Sequence, residues 1–570
     1  MTTRPRGIGK PFHEFPQSTP PLRLDILCQD PLVQKTTGLG LVRVALDGER
    51  YLGQGPTTAR VEVIDYDAET GETHPPAPVR QNGTGFAVGP LREEDLRSNY
   101  FFHQVNVWAI VNRTLALLEE PGLLGRPVPW ASGRGRLIVM PHAGRGTNAY
   151  YDPQAGALRF LYFGDPEDPV YSCLSHDIVT HELGHAVLDG LKPGYDEVSS
   201  PEAAGFHEYF GDALALASAL TFRDVLVKAV GKAPPVLDAA FLDHIGEEFG
   251  TASSHGDQTY VRRFSDRWTL TELIKNDNQN AHDYSQVLSG VFFEFLAFLY
   301  KLKLEETRAR RQRLNGGVAV AALVNAAKQA ARTMLCAVDY CPPVDVSYLQ
   351  YARAVLRADE VAFPQDRRGI RAKLAELFNA RGIGAHLSDL ESPRPRNRDL
   401  HPYDVDALSA TSEAAYRFLD ENRATLDIPR SANFQVVRHY RTRKATANGH
   451  FPPREVVLEF AWTEDMPLDA DPERFGNLAA LRFPVHCGGT LVLDGNGNVL
   501  HYVLNEASDA RRNQVAAYLT YLVKRGQIGM PGQDNVPIVA FRDDGRARLQ
   551  RMPALRHSGS STSAQSATNT

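Results

Sequence analysis

Two histidines four residues apart, with a glutamate beside the first, stand in His181-Glu182-Leu183-Gly184-His185, inside a run of helical apolar periodicity. On an α-helix positions i and i+4 share a face, so both imidazoles can reach one metal ion. Glu182, one step round, can hold the water that such an ion carries and take its proton. A second helical run begins at Ser200 and Pro201 and carries Glu208 and Asp212 one turn apart among Ala203, Ala204, Phe206, Phe210, Ala213 and Leu214. Acids on such a face need a reason. Glu208 completes a His₂Glu set for a catalytic zinc with one position open, and Asp212 is placed to orient a ligating imidazole. The bland alternatives are a helix with two surface histidines and a solvated acidic edge. Taken together, residue types and spacing describe a zinc hydrolase centre, with one Zn²⁺ on His181, His185 and Glu208 and with Glu182 as general base.

The elements that must position these groups follow from periodicity. Residues 1–21, rich in Pro, Gly and Thr, read as a flexible lead. Leu22 to Leu27, Leu41 to Leu46 and Ala59 to Tyr66 alternate apolar and polar residues between turn-rich stretches, which makes 22–94 a β-rich segment. From Glu93 to Glu120 the pattern turns helical, with Phe101, Phe102, Val105, Trp108, Val111, Leu115 and Leu118 on one broad face. Amphipathic helices are predicted at 175–191, 201–221, 285–305, 316–335 and 347–357, so the chemistry sits in a mainly helical block. The Pro- and Arg-rich stretch 392–398 and one helix through Arg423 make 391–428 a linker and helix. Strands are then predicted at 436–440, 456–462, 489–493 and 499–504, with Asp494-Gly-Asn-Gly as a hairpin turn. A helix over 509–525, capped by Ser508 and stopped by Gly526, closes a separate α+β domain over 429–550, and 551–570 is a disordered tail.

Around the metal residues the chain resembles the gluzincin metallopeptidases, the thermolysin-like and fungalysin-like families, over roughly residues 95–390. The resemblance is carried by HELGHAVLDGL at 181–191 with Glu-x-x-x-Asp on the next helix. It is carried also by Thr147-Asn148-Ala149-Tyr150-Tyr151, similar to the family's edge strand, and by Asp277 five residues before His282, ahead of a helix. It implies an α+β fold of two lobes: a β-containing N-terminal lobe over 95–195 that ends with the HExxH helix, and a mainly helical lobe over 196–390. It implies a peptide or protein substrate cut at internal bonds, lying along the strand of Asn148 and Ala149. It further implies His282 as a stabiliser of the transition state oriented by Asp277, Tyr195 as a second such donor, and Arg262, with Arg263 as the alternative, on a substrate carbonyl. The chain departs from the family in lacking a visible signal peptide and long propeptide, and in lacking an acidic calcium loop, so bound calcium is not expected. Competing functions are a latent or narrow-substrate zinc peptidase, and a non-catalytic zinc-binding protein that uses the cleft or the C-terminal domain to recognise a partner. Retention of Glu182 and all three ligands opposes the second. In a third reading the N-terminal β segment plugs the cleft until it is removed.

Composition bounds the rest. At 570 residues and 43% hydrophobic, the chain can bury several cores, which excludes a disordered or fibrous protein. Sixty-two Lys and Arg against 68 Asp and Glu, interspersed, leave a net charge of −6 and no basic footprint for nucleic acid. The apolar run Val291 to Tyr300 is too short to span a bilayer and contains Glu294, so no membrane association is expected. The N-terminus lacks an apolar run and a cleavage site, which points to the cytoplasm, with export by a non-standard route left open. Five scattered cysteines suit a reducing compartment, with Cys336 and Cys341 read as buried thiols in preference to a local bridge.

Overall fold

The computed structural model describes residues 21–29, 38–47, 52–80, 85–89, 91–230, 267–310, 315–391, 400–442 and 452–525, with isolated positions and a short hairpin at 539–549. The lead before Pro21, the stretch 392–398, the tail 551–570 and both Arg262 and Arg263 lie outside the described residues. Helix accounts for 45% and strand for 20%, so the chain is mixed α+β.

Strands β1 (Leu22–Leu27) and β2 (Leu41–Leu46) pair antiparallel from Leu22↔Leu46 to Leu27↔Leu41. Their alternation sends Leu22, Leu24 and Ile26 into the main core. β3 (Val61–Val63) is shorter than the strand predicted at 59–66 and pairs in parallel with β4 (Leu137–Met140). With β5 (Ala149–Asp152) and β6 (Ala157–Phe160) these form a sheet in the order β3-β4-β6-β5, in which β5 is an edge strand antiparallel to β6. The 22–94 segment is therefore not a separate unit, because β3 is a strand of the lobe sheet. Helix α1 (Tyr100–Glu119) starts later than predicted because the Asn99 side chain caps it, accepting from Phe102 N. It meets the β1 hairpin where Leu27 N donates to Asn106 Oδ1 at 2.9 Å.

The helical region follows with α2 (His176–Leu191), α3 (Pro201–Ala219), α4 (Arg223–Val230), α5 (Leu270–Lys275), α6 (Ala281–Ala309), α7 (Gly316–Leu335), α8 (Tyr348–Ala362) and α9 (Ile370–Ala380). α2 and α3 are buried along almost their whole length, so they form the middle of the body. α6 begins at 281, before the predicted 285, because Asn280 Oδ1 accepts from both His282 N and Asp283 N. No helix among the described residues is long and apolar enough to cross a membrane. The five cysteines are buried and form no disulfide.

Beyond residue 400, α10 (Ser412–Glu421) precedes an antiparallel meander of β7 (Gln435–Thr442), β8 (Glu455–Pro467), β9 (Arg482–Asp494) and β10 (Val499–Asn505), then α11 (Asp509–Lys524). The β9–β10 turn is held by Asp494 Oδ1, which accepts from Asn496 N at 2.8 Å and Asn498 N at 2.9 Å. Leu408, Ala415, Phe418, Leu419, Leu426 and Ile428 share one core with Leu458, Phe460, Leu519 and Leu522, so the helix expected within 391–428 packs into this unit.

The unit meets the helical body along β8. On β8, Val456, Leu458 and Phe460 face that second core, while the alternate positions Glu455, Val457 and Glu459 face the helical body. Glu459 accepts from Lys192 Nζ at 2.6 Å, and Glu455 accepts from Tyr340 Oη at 2.7 Å. Lys192 is the C-cap residue of α2 and is 1% exposed. Burying both charges is tolerable only because each has its counter-ion and a further hydrogen bond, here Lys192 Nζ to Cys341 O at 2.8 Å.

Candidate metal centre

The local sequence builds two facing helices. Ser175 caps α2 by accepting from Ile178 N, and Ser200 caps α3 by accepting from Ala203 N, with Pro201 at the first helical position. The two helices touch backbone to backbone. A Cβ on Gly184 would lie 2.7 Å from Gly211 Cα, and a Cβ on Gly211 would lie 2.7 Å from His181 Nδ1. Glycine at both positions thus lets α3 bring its carboxylates up to the α2 histidines.

The result is a tight polar cluster. Glu208 Oε2 lies 3.4 Å from His181 Nε2, and Glu208 Oε1 lies 3.6 Å from His185 Nε2. Both separations exceed the ~2.7–3.2 Å of a good N–H···O bond. Each oxygen of Glu208 thus faces one of the two imidazoles across a gap that an ion ~2.0–2.1 Å from its donors could bridge. The donor set, two imidazole nitrogens and a carboxylate, therefore fits such an ion. Behind it, Asp212 Oδ1 lies 3.0 Å from His181 Nδ1, and Ser289 Oγ on α6 donates to Asp212 Oδ2 at 3.3 Å. With a metal bound, a carboxylate behind Nδ1 would hold the ring proton there and leave Nε2 for the ion.

Glu182 lies beside this set, with a ligand-capable atom within 4.8 Å of those of His181 and His185. Its Oε2 accepts from Tyr151 N at 3.0 Å, so the glutamate lies along the open edge of β5. Tyr151 Oη in turn donates to Asp189 Oδ2 at 2.7 Å, which ties the edge strand to α2. Asn148 and Ala149 sit at the start of this strand, and buried Asn148 Oδ1 has no hydrogen-bond partner among the described residues. His282, in the first turn of α6, places Nδ1 3.3 Å from Glu208 Oε2. Its side chain is 24% exposed against 3% for the other three, so it stands on the open side of the cluster. Burial alone would raise the Glu208 carboxyl, but the charges of His282 and His185 and hydrogen bonds from His181 and His282 hold it well below the usual carboxylate range.

Two residues expected here are elsewhere. Tyr195 is fully buried, and its hydroxyl donates to Pro342 O at 2.9 Å, so it is a packing residue between α2 and the 342–344 segment. Asp277 is exposed at a left-handed turn with φ of 48° and accepts from Gln279 Nε2 at 3.3 Å, so His282 is positioned by Glu208 and not by Asp277. His207 on α3 and His176 at the start of α2 bond Tyr195 O at 2.9 Å and Ser218 Oγ at 3.2 Å. Three contributors were not anticipated: Ser289, the backbone of Tyr151, and Gly211. Gly211 alone left a readable signal, since a helix-interior glycine costs about 1 kcal/mol against Ala and calls for a packing reason.

With no metal bound, none of the five cysteines is a ready thiolate: burial pushes Cys28, Cys336 and Cys341 up to about 12, Cys487 to about 11, and Cys173 well above the usual thiol range. The chain matches no model of a known protein family and no curated protein.

Proposed function

We propose that this protein is a zinc-dependent metallopeptidase acting on internal peptide bonds, with a two-lobed thermolysin-like body. The observation that carries the reading is the approach of Glu208 to both histidine Nε2 atoms at 3.4 and 3.6 Å, with Glu182 held beside them on the open edge of β5. His181, His185 and Glu208 would hold the ion, which supplies Lewis acidity by polarising a carbonyl and acidifying water. An extended peptide adds to the edge of β5 by main-chain hydrogen bonds, and Asn148 Oδ1 is an acceptor waiting for one of its N–H groups. Glu182 takes a proton from water at its carboxylate and passes it to the leaving amine. His282, on the open side, donates to the oxygen on which charge develops. Asp212, braced by Ser289, keeps His181 in one tautomer throughout.

A narrow-substrate peptidase is the second reading, and one observation favours it. Ala281, next to His282, packs in the same core as the C-terminal sheet, and His486 Nε2 of that sheet pairs with Glu197 Oε2 at 2.6 Å. The C-terminal unit thus flanks the open side of the cluster and can screen what enters.

The test is hydrolysis of a mixed peptide library by the zinc-loaded full-length protein, read by mass spectrometry, with a chelator control and Glu182→Gln. Chelator-sensitive cuts that fall ~10²–10⁴-fold in Glu182→Gln, which keeps its zinc, support the proposal. A folded, zinc-loaded protein that makes no cuts refutes general endopeptidase activity.

A further inference from the structure

Away from α3, the first lobe holds a second buried group of metal-capable side chains. His103 lies on α1, His142 just after β4, and Cys173 in the Ser172–Leu174 turn that leads into α2. One ring nitrogen of each histidine and the Cys173 thiol lie within 4.8 Å of one another, and all three residues are buried. The two rings face each other through His103 Nδ1 and His142 Nε2, 2.8 Å apart. Their outer nitrogens are both anchored: His103 Nε2 on Leu96 O at 2.7 Å, and His142 Nδ1 on Asp65 Oδ1 at 2.7 Å. Asp65 is itself fixed, since Gln104 Nε2 donates to its Oδ2 at 2.7 Å. Outer nitrogens held by a carbonyl and a braced carboxylate, with a thiol close to the paired rings, are how proteins prepare imidazoles for a metal.

We propose that His103, His142 and Cys173 form a second, structural site for a divalent cation of the zinc class. Thiolate and imidazole donors select such an ion over Mg²⁺ or Ca²⁺, which require oxygen. A bound ion would take the place of the contact between the two inner nitrogens, and the thiol proton leaves as the ion enters. Imidazole nitrogens on one tetrahedral zinc stand ~3.4 Å apart, so the rings need part by only ~0.6 Å. His74 and Asp65 form an overlapping group with His142. His74, however, is half-buried, and both Asp65 oxygens already serve the ring and Gln104, which makes Asp65 the outer support of the site. The ion would pin α1 and the end of β4 to the turn from which the His181 helix starts.

The full-length protein is produced in cobalt-supplemented medium and its near-ultraviolet spectrum and cobalt content are measured. The expected result is a thiolate-to-cobalt charge-transfer band that persists in His185→Ala, while Cys173→Ser loses the band and one equivalent of cobalt with its near-UV circular dichroism unchanged. His103→Gln, which keeps a side chain able to bond Leu96 O, should lose the same equivalent and serves if Cys173→Ser does not fold. A wild-type spectrum without the band overturns the proposal, as does a band that survives in folded Cys173→Ser or cobalt lost in His74→Ala but retained in Cys173→Ser.

Discussion

Gly211→Ala is the smallest change that should uncouple the proposed zinc ligands from one another. The added Cβ would meet His181 Nδ1 at 2.7 Å, Cε1 at 2.8 Å and its carbonyl oxygen at 3.0 Å. An ordinary contact between such atoms is ~3.5 Å, so the ring must move by roughly 0.7–1 Å or the helices must part. Parting is resisted by the Gly184 contact with the same residue and by Ser289 holding Asp212 from α6. Moving the ring breaks the 3.0 Å Nδ1–Asp212 pair and carries Nε2 away from Glu208. Two effects on stability oppose each other without metal: overpacking costs about 1–3 kcal/mol, and Ala is better than Gly in a helix by about 1 kcal/mol. Metal-free stability should therefore fall by no more than about 2 kcal/mol. Zinc affinity has no such offset. Loss of an outer partner alone costs ~10–100-fold, and a displaced ligand should reach the upper end. A 100-fold loss removes about 2.7 kcal/mol of zinc-dependent stabilisation. Chelator-competition titration and denaturant unfolding with and without zinc measure the two quantities separately. Gly316→Ala, at the start of α7, where an added Cβ meets nothing within 4 Å, is the control. Wild-type zinc affinity in a folded Gly211→Ala would refute the reasoning, whatever its stability.

Two further changes probe the scaffold. Burial raises the Glu202 carboxyl to about 7, with the charge of Asp345 adding to it and a hydrogen bond from Tyr348 N opposing it. The folded state thus favours the neutral acid, and that contribution is full below the unfolded value of about 4.3 and lost as pH rises through about 7. Glu202→Gln, which keeps the acceptor for Tyr348 N, should be more stable than wild type at pH 8 by on the order of 1–3 kcal/mol and equal to it near pH 4. A melting-temperature difference that does not vary between pH 4 and 8 would contradict this. Lys192→Met should cost about 3–5 kcal/mol by leaving Glu459 buried without its counter-ion, and Lys192→Met with Glu459→Leu should recover most of it. Additive losses in denaturant unfolding would mean that the pair does not couple the C-terminal sheet to α2.

Much of the candidate metal cluster was legible in one dimension because it depends on helical spacing. His181 and His185 share a face by the i, i+4 rule, as do Glu208 and Asp212, and caps at Ser175 and Ser200 mark both helix starts. The β9–β10 hairpin was readable from alternation and the Asp-Gly turn for the same reason, as a local pattern with a fixed turn chemistry, whereas the β5 strand was reached through the family resemblance of 147–151. Element ends were less readable, as at β3 and the start of α6, where one capping or pairing partner decides the boundary.

Whatever depends on a side chain's choice among distant partners was decided by the tertiary structure. Tyr195 and Asp277 have suitable types at suitable positions, yet one bonds Pro342 O and the other Gln279, because a hydroxyl or carboxylate goes to the partner that packing brings within reach. Where the C-terminal unit meets the helical body was out of reach for a related reason. Glu455 and Glu459 look like the solvent face of β8, and their burial depends on Tyr340 and Lys192, which are more than a hundred residues away. The sequence by itself determined the ligand types, their helices and their spacing along each helix. Only folding determined that α2 and α3 touch at Gly184 and Gly211, because that close approach is a relation between two helices and not a period within either.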